Sequence, residues 1–200
     1  MAIIDQRVTW AKVEERLKTE TDPVLRRNLE LLLQHQRAEA ALDMEKLMET
    51  VSEHAHYHMH SIPNGAGDLI GKSSVQKFYE DFAASGAEKL QLDTEWLVVD
   101  RHCIVTEGTM RMAYPGSTLA ARGVPVDDVN AYYLYESRMC VLWPIGEDGL
   151  FTGEDTYTAS DGFAGIELRK LSPRDVAVIC TRWLRNGNSL KVAVQRRTSC

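Results

Sequence analysis

The stretch His54-Ala-His-Tyr-His-Met-His60 lies where a helical first part of the chain gives way to a run of predicted strands. Side chains alternate between the two faces of a strand, so an extended conformation places all four histidines on one face and Tyr57 on the other. A row of imidazoles can supply metal ligands or proton-transfer groups. The stretch therefore marks the start of a sheet and offers His56, His58 and Tyr57 as candidate site residues.

Helical patterns occupy the chain before this stretch. Asp22-Pro23 combines a residue favoured at a helix N-cap with a proline at the first helical position, and apolar spacing continues to Leu47. Asp43 is placed to cap a further turn. After the histidine row, residues 71–85 have the apolar spacing of another helix, with Phe78 on its inner face.

From residue 90 onward, β-branched and aromatic residues predict strands over 90–99, 103–114, 129–145 and 151–158, and another over 175–184. The segment 115–128 contains glycine and proline and is predicted to form a mobile flap. Helices at one end of the chain and strands at the other predict an α+β fold. We expect a strongly curved antiparallel sheet wrapped by the N-terminal helices.

Composition limits the partners that the protein can have. The chain has 200 residues, 44% of them hydrophobic, and a net charge of −6. It has no cluster of basic and aromatic residues, so nucleic acid and anionic membranes are excluded as expected partners. We find neither a secretory signal nor an apolar run long enough to cross a bilayer. Four cysteines without a CxxC motif indicate a reduced, cytoplasmic protein.

The order of elements resembles the nuclear-transport-factor-2-like superfamily, and most closely its SnoaL-like branch of polyketide cyclases and ketosteroid-isomerase relatives. The resemblance rests on residues 37–48 leading into a strand, on residues 71–79 opening a helix, and on residues 148–157 in a late strand. It implies a cone-shaped pocket between sheet and helices, usually in dimers. It does not imply one reaction, because members include isomerases, cyclases, dehydratases and non-catalytic binders.

The resemblance covers about residues 30–160 of a predicted single domain spanning 1–200. An N-terminal helix within residues 1–22 and a C-terminal extension over 162–200 lie outside it.

Two carboxylates are the candidate acid–base groups. Glu107 interrupts an otherwise apolar or neutral strand. Asp155 shares a predicted strand face with Phe151 and Tyr157, whereas Glu154 is predicted to face solvent. Burial of a carboxyl group raises its pKa, which suits proton transfer at neutral pH. For each of these acids, an exposed position on the sheet is the alternative.

The sequence therefore predicts a cofactor-independent lyase or isomerase that acts, without a metal, on a hydrophobic oxygenated small molecule such as a polyketide, terpenoid or steroid. Asp155 or Glu107 would exchange the proton, and His56, His58 and Tyr57 would transfer protons or orient the substrate. The residues predicted to line the substrate pocket are Tyr133, Trp143, Tyr157 and Phe78.

Two alternative functions stay open. A non-catalytic small-molecule-binding or assembly module would use the same pocket or the outer face of the sheet. A metal-dependent enzyme would use the row from His54 to His60, because same-face residues of a strand are about 6–7 Å apart and two of them can share an ion.

The predicted strand over 129–145 carries large apolar side chains on both faces. A strand that is apolar on both sides needs a cover on its outer face. We therefore predict a homodimer that pairs sheet against sheet. The alternative is that the tail over 168–190 folds back over this face.

Overall fold

The computed structural model describes residues 2–177, together with the backbone of residues 181–186 and 189–194. The helices of this part of the chain are α1 (Val8–Leu17), α2 (Pro23–Ala41), α3 (Met44–Met48), α4 (Lys72–Ser85) and α5 (Gly116–Ala121). Its strands are β1 (Ile4–Asp5), β2 (Val51–Met59), β3 (Leu69–Ile70), β4 (Leu90–Val99), β5 (Cys103–Pro115), β6 (Tyr132–Pro144), β7 (Phe151–Thr158), β8 (Lys170–Leu171), β9 (Val176–Ala177), β10 (Thr181–Asn186) and β11 (Ser189–Val194).

The main sheet has the strand order β3-β2-β7-β6-β5-β4, with β8 paired to β6. Its neighbouring strands are antiparallel, except that β2 and β7 run parallel. The predicted α+β fold with a curved, mainly antiparallel sheet is confirmed. None of the helices in the described residues is both long and apolar enough to cross a lipid bilayer.

A bulge in β4 helps to curve this sheet. The register between β4 and β5 shifts between Thr94 and Trp96, so that Glu95 is an extra residue. Gly108 of β5 lies opposite, and a Cβ atom there would stand only 2.0 Å from the backbone oxygen of Asp93. An extra residue bends a strand and increases its twist, and glycine at 108 leaves room for the close approach.

The helix signals of the sequence are confirmed. Asp22 is the N-cap of α2, where its carboxylate accepts hydrogen bonds from the backbone N–H groups of Val24 at 2.8 Å and Leu25 at 3.2 Å. Asp43 caps α3 in the same way, through the N–H of Lys46. The capped helix α2 packs its apolar side on the sheet, where Leu29 and Leu32 are fully buried.

The segment predicted as a mobile flap is a packed element instead. It contains α5, whose Leu119 is fully buried. Gly116 at the start of α5 lies against the backbone of Asp128, where a Cβ atom would stand 2.4 Å from the backbone oxygen. The strand predicted over 175–184 corresponds in part to β9 and β10, and residues 178–180 between them lie outside the described part of the chain.

One end of the outer face, which is the sheet face turned away from the helices, is covered by short strands of both termini. Ile4 of β1 and Leu171 of β8 pack on Ala113, with Leu134 and Val176 beside them. Farther along, the outer face carries the exposed side chain of Trp96. Part of the tail therefore folds back on this face, and the predicted homodimer stays a prediction.

Replacing Asp22 with alanine should lower the free energy of unfolding by about 1 kcal/mol, because the N–H groups of Val24 and Leu25 lose their acceptor. Asp22→Asn should retain most of the stability, since its side-chain oxygen can still cap α2. Urea unfolding followed by circular dichroism measures both changes. Equal losses in the two variants would show that the ion pair of Asp22 with Arg101, rather than the cap, carries the effect.

Candidate active site

The histidine row and the interior of the fold lie on opposite faces of β2. Ala55 and Tyr57 are buried in a cluster with Val75 of α4. His56 and His58 lie on the outer face. The alternation predicted from the sequence is therefore confirmed, and it separates Tyr57 from the histidines that were expected to act with it.

A bulge in β7 brings Glu154 into the interior. Leu142 of β6 pairs with Asp155, but Ile145 pairs with Phe151, so that three steps along one strand match four along the other. The extra residue reverses the alternation. Phe151 and Glu154 consequently both face the helices, and Asp155 faces outward. The predicted orientations of Asp155 and Glu154 were wrong, because strict alternation was assumed through the bulge.

Inside the fold, Glu154 stands at one end of a series of polar side chains. Its Oε2 atom lies 3.3 Å from the hydroxyl of Tyr79 on α4, and that hydroxyl lies 3.1 Å from Nε2 of His35 on α2. The other ring nitrogen of His35, Nδ1, lies 2.7 Å from the hydroxyl of Thr50. Thr50 in turn donates to the backbone oxygen of Leu47 at 2.6 Å.

These contacts determine where the protons lie. Thr50 uses its only proton on the carbonyl, so it accepts a hydrogen bond from Nδ1–H of His35. His35 is fully buried, and burial lowers its pKa to about 3, so the ring is neutral and its Nε2 is an acceptor. Tyr79 can then donate either to His35 or to Glu154, but not to both.

The protonation state of Glu154 decides between these two arrangements. Burial, with a smaller contribution from the charge of Glu39, raises the pKa of Glu154 to about 8. In its protonated form Glu154 can donate to Tyr79, which leaves the Tyr79 proton for His35. In its ionised form Glu154 accepts from Tyr79. The protonation state of Glu154 therefore decides whether the Tyr79 hydroxyl donates to His35 or to Glu154.

Glu39 and Tyr57 add a second acid and a hydroxyl to this cluster. Burial raises the pKa of Glu39 to about 7. Tyr57 pairs with Glu154 in the parallel register, and its buried hydroxyl lies beside the hydroxyl of Tyr79. Burial, followed by the charges of Glu154 and Glu39, holds the pKa of Tyr57 well above its usual value. Tyr57 therefore remains a hydrogen-bond donor.

Two of the four predicted pocket residues lie at this cluster. The Trp143 ring lies 5.3 Å from the His35 ring, edge to face, and Phe151 encloses the same imidazole at 5.4 Å. Phe78 lies beside Tyr79 on α4, with 5.3 Å between the ring centroids. Aromatic rings thus pack against His35 and Tyr79, and burial raises the pKa values of the two carboxyl groups.

The other two predicted pocket residues lie elsewhere. Tyr133 is buried in a different cluster, where its hydroxyl contacts Asp127 and accepts from the N–H of Asp128 at 2.9 Å. Tyr157 is on the outer face, 45% exposed and stacked on His60. The structure does not bring either of them to Glu154.

The predicted carboxylates also lie on the outer face. Glu107 forms an ion pair with Arg138, whose guanidinium also reaches Glu95. Asp155 contacts Nδ1 of His58. Neither carboxylate faces the interior. Their predicted catalytic roles remain predictions, which the structure does not support by location.

Donor atoms suited to a metal ion occur at the same outer-face location. Two groups have ligand atoms within 4.8 Å of one another, the first formed by His56, His58 and Asp68 and the second by His58, His60 and Asp155. Both groups include His58. The interior cluster of Glu154 lies on the opposite face of the sheet.

A surface groove of about 400 Å³ runs beside α2 and α3. It is lined by Glu30, Leu33, Gln34, Arg37, Ala38, Ala41, Asp43 and Lys46. None of the groups coupled to Glu154 lies in it, and the groove is therefore separate from the acid–base cluster.

Sequence reasoning missed His35, Glu39 and Glu154. His35 and Glu39 could have been found from their spacing, because ionisable residues four apart on α2 share one face of the helix. His35 also follows the buried Leu32 by about one turn. Nothing in the local sequence of Tyr79 indicated a polar partner. Glu154 could not be found by alternation, because the bulge depends on pairing with β6.

Comparison with known proteins establishes the fold. The chain has the nuclear-transport-factor-2-like fold. A Shewanella putrefaciens structure named for the SnoaL-like polyketide cyclases is similar over 77% of this chain and 92% of its own, with a TM-score of 0.58 and 10% identity. A nuclear-transport-factor-2-like protein from Anabaena variabilis aligns over 72% and 97%, with a TM-score of 0.52 and 15% identity.

TerC, co-crystallised with polyporic acid, aligns over 71% of this chain and 98% of its own, with a TM-score of 0.52 and 13% identity. No family model and no curated protein matches the sequence. The predicted resemblance to nuclear-transport-factor-2-like and SnoaL-like proteins is thus confirmed by structure. At these identities, the likeness shows the fold and leaves the reaction to the site itself.

Glu154 should make the stability of the fold depend on pH. Its folded pKa is raised from 4.5 to about 8, so the native state binds the extra proton and its stability falls as pH rises from about 5 to 8. Glu154→Gln should remove much of this loss, and at pH 9 it should be more stable than the wild type by on the order of 2 kcal/mol.

Urea unfolding at pH 5, 7 and 9 measures this effect. Glu147→Gln is the matched control, because the same substitution is made at an exposed position before β7. It should leave the pH dependence unchanged. A difference between Glu154→Gln and wild type that did not vary with pH would contradict the raised pKa.

Proposed function

We propose that the protein is a cofactor-independent lyase or isomerase that uses Glu154 as its acid–base group. The proposed substrate is a hydrophobic, oxygenated small molecule, such as a polyketide, terpenoid or steroid. The observation that carries the proposal is the position of Glu154, with a pKa of about 8, next to the buried hydroxyls of Tyr57 and Tyr79. A base with a pKa near neutrality and a hydroxyl donor are the two groups required for chemistry beside a carbonyl.

In the isomerase reaction, ionised Glu154 removes a proton from the carbon next to the substrate carbonyl. The electron pair of the C–H bond moves to the carbonyl oxygen, and the Tyr57 hydroxyl stabilises the resulting enolate by donating a hydrogen bond. Glu154 then returns the proton to a different carbon. No oxidant, reductant or metal is needed, because the proton is conserved.

In the lyase reaction, the protonated form of Glu154 donates its proton to a leaving hydroxyl group of the substrate. The C–O bond breaks and water departs, while a neighbouring carbon loses a proton to form the double bond. Glu39, with a pKa of about 7, is the second carboxyl of the cluster and the proposed acceptor of that proton. Two coupled acids with raised pKa values support this assignment.

Hydrogen bonds of Tyr79 link Glu154 to His35 and hold the carboxyl group in place. Tyr79 donates to the ionised carboxylate, and it can turn its proton to the neutral His35 when Glu154 is protonated. The hydrogen bonds thus adapt to either state of Glu154. Trp143 and Phe78 are the proposed apolar surface of the site, and the likeness to SnoaL-like cyclase structures supports a pocket for a small molecule.

Replacing Glu154 with glutamine should lower turnover by roughly 10²-fold to 10⁴-fold, because the amide cannot exchange the proton. β,γ-Unsaturated ketones and β-hydroxy ketones are the probes, since isomerisation and dehydration both produce a conjugated enone that is followed by ultraviolet absorption. Glu147→Gln is the control. If Asp155→Asn or Glu107→Gln lost turnover while Glu154→Gln kept full activity, the acid–base group would be one of the carboxylates predicted from the sequence.

The pH dependence of kcat/KM should distinguish the two reactions. If ionised Glu154 is the base of an isomerase, the rate rises as pH increases through about 8. If protonated Glu154 is the acid of a lyase, the rate falls over the same interval. A profile without an inflection between pH 7 and 9, on a substrate whose chemistry limits the rate, would contradict both assignments.

Native mass spectrometry of the purified protein tests the competing binding module. A retained small molecule that is released unchanged, together with no enone formation from any probe, would favour non-catalytic binding over the proposed enzyme. The homodimer remains part of the proposal, and the same spectrum reports it as a doubled mass.

A further inference from the structure

We propose that the outer face of β2 binds a divalent first-row transition metal ion through His56, His58 and Asp68. This site lies across the sheet from Glu154 and does not depend on the proposed acid–base function. Their ligand atoms lie within 4.8 Å of one another, and imidazole nitrogen with carboxylate oxygen is a donor set that such ions favour.

The distance between His56 and Asp68 fits two ligands of one ion. Nε2 of His56 lies 3.5 Å from Oδ2 of Asp68. A tetrahedral ion with bonds of about 2.0–2.1 Å holds two ligand atoms about 3.3 Å apart. Nε2 of His56 is also buried and forms no hydrogen bond with any residue that the structure describes. A buried ring nitrogen without a partner costs free energy, which an ion at this position would recover.

Asp155 prepares His58 for the same ion. Its carboxylate contacts Nδ1 of His58, so the ring donates its Nδ1–H there and leaves Nε2 as a lone-pair donor. A carboxylate behind a metal-bound histidine sets the tautomer and the ring orientation. The structure therefore contains an orienting partner as well as the ligands.

The same contact argues against the second group, formed by His58, His60 and Asp155. Asp155 and His58 are already joined by a hydrogen bond, so binding one ion through both would require breaking it. His60 is exposed and its ring stacks on Tyr157. In the first group, by contrast, His56 and Asp68 have no hydrogen bond to each other that an ion must break.

Local backbone structure places Asp68 at the site. The pairing of β2 with β3 sets Tyr57 opposite Leu69, so the next position brings Asp68 beside His58. Gly67 permits this approach, because a Cβ atom there would stand 2.8 Å from Cβ of Met59. The loop can therefore lie against β2 only with glycine at position 67.

Three protein ligands leave at least one coordination position of the ion open. That position can hold water or a small molecule with an oxygen or nitrogen donor. The proposed metal site can thus bind an exogenous molecule, whereas a structural site with four protein ligands is closed.

Zinc titration of chelator-treated protein without an affinity tag, measured by calorimetry, tests the site. We expect one equivalent of Zn²⁺ to bind the wild type. His56→Gln and Asp68→Asn should each weaken binding by more than the roughly 10-fold to 100-fold that loss of an outer partner costs, and Asp155→Asn should fall within that range. Circular dichroism verifies that each variant is folded.

His54→Gln is the matched control, because His54 is an exposed member of the same row outside both groups. It should leave the affinity unchanged. Co²⁺ in place of Zn²⁺ should give the absorption bands of a low-symmetry site in the wild type but not in His56→Gln. The proposal is overturned if the wild type binds Zn²⁺ no more tightly than His56→Gln, or if His60→Gln abolishes binding while Asp68→Asn does not.

Discussion

The burial of the Glu154 carboxyl group against Tyr79 is the interaction on which the candidate active site depends. It requires the bulge in β7, the packing of α4 on β2, and an imidazole from α2 to receive the Tyr79 proton. A carboxylate in this buried position would be costly to keep charged. The fold meets this cost by letting Glu154 hold a proton near neutral pH.

The strand β2 separates two kinds of chemistry by its alternation alone. Its inner face contributes Tyr57 to the proposed acid–base cluster, and its outer face contributes His56 and His58 to the proposed metal site. The strand β7 follows beside it in parallel, so that Glu154 lies next to Tyr57 and Asp155 lies next to His58. Two adjacent acids thus serve opposite faces of the sheet.

Irregular positions in the strands determine both the shape of the sheet and the location of the site. Glu95 is the extra residue of β4, where the nearby Gly108 allows the strands to approach. The bulge of β7 has a chemical consequence, because it changes which carboxylate faces the helices. Bulges are fixed by pairing with a neighbouring strand and leave little trace in the local sequence.

The sequence by itself determined the long helices and strands and the class of the fold. Asp22-Pro23 and Asp43 set the starts of two helices through local capping, and the alternation around Tyr57 set the two faces of β2. Such signals are local, because they depend on residues within one or two turns or on a period of two. The same kind of signal placed the candidate residues Tyr57, Trp143 and Phe78 on the inner side of their elements, and their roles stay predictions.

Only the tertiary structure decided which groups meet. His35, Tyr79 and Glu154 come from α2, α4 and β7, and the distances between their polar atoms have no counterpart in sequence spacing. Their pKa values follow from burial, and burial results from the packing of several elements together. Strict alternation had assigned the interior to Asp155, and one additional residue in a strand was enough to give that place to Glu154.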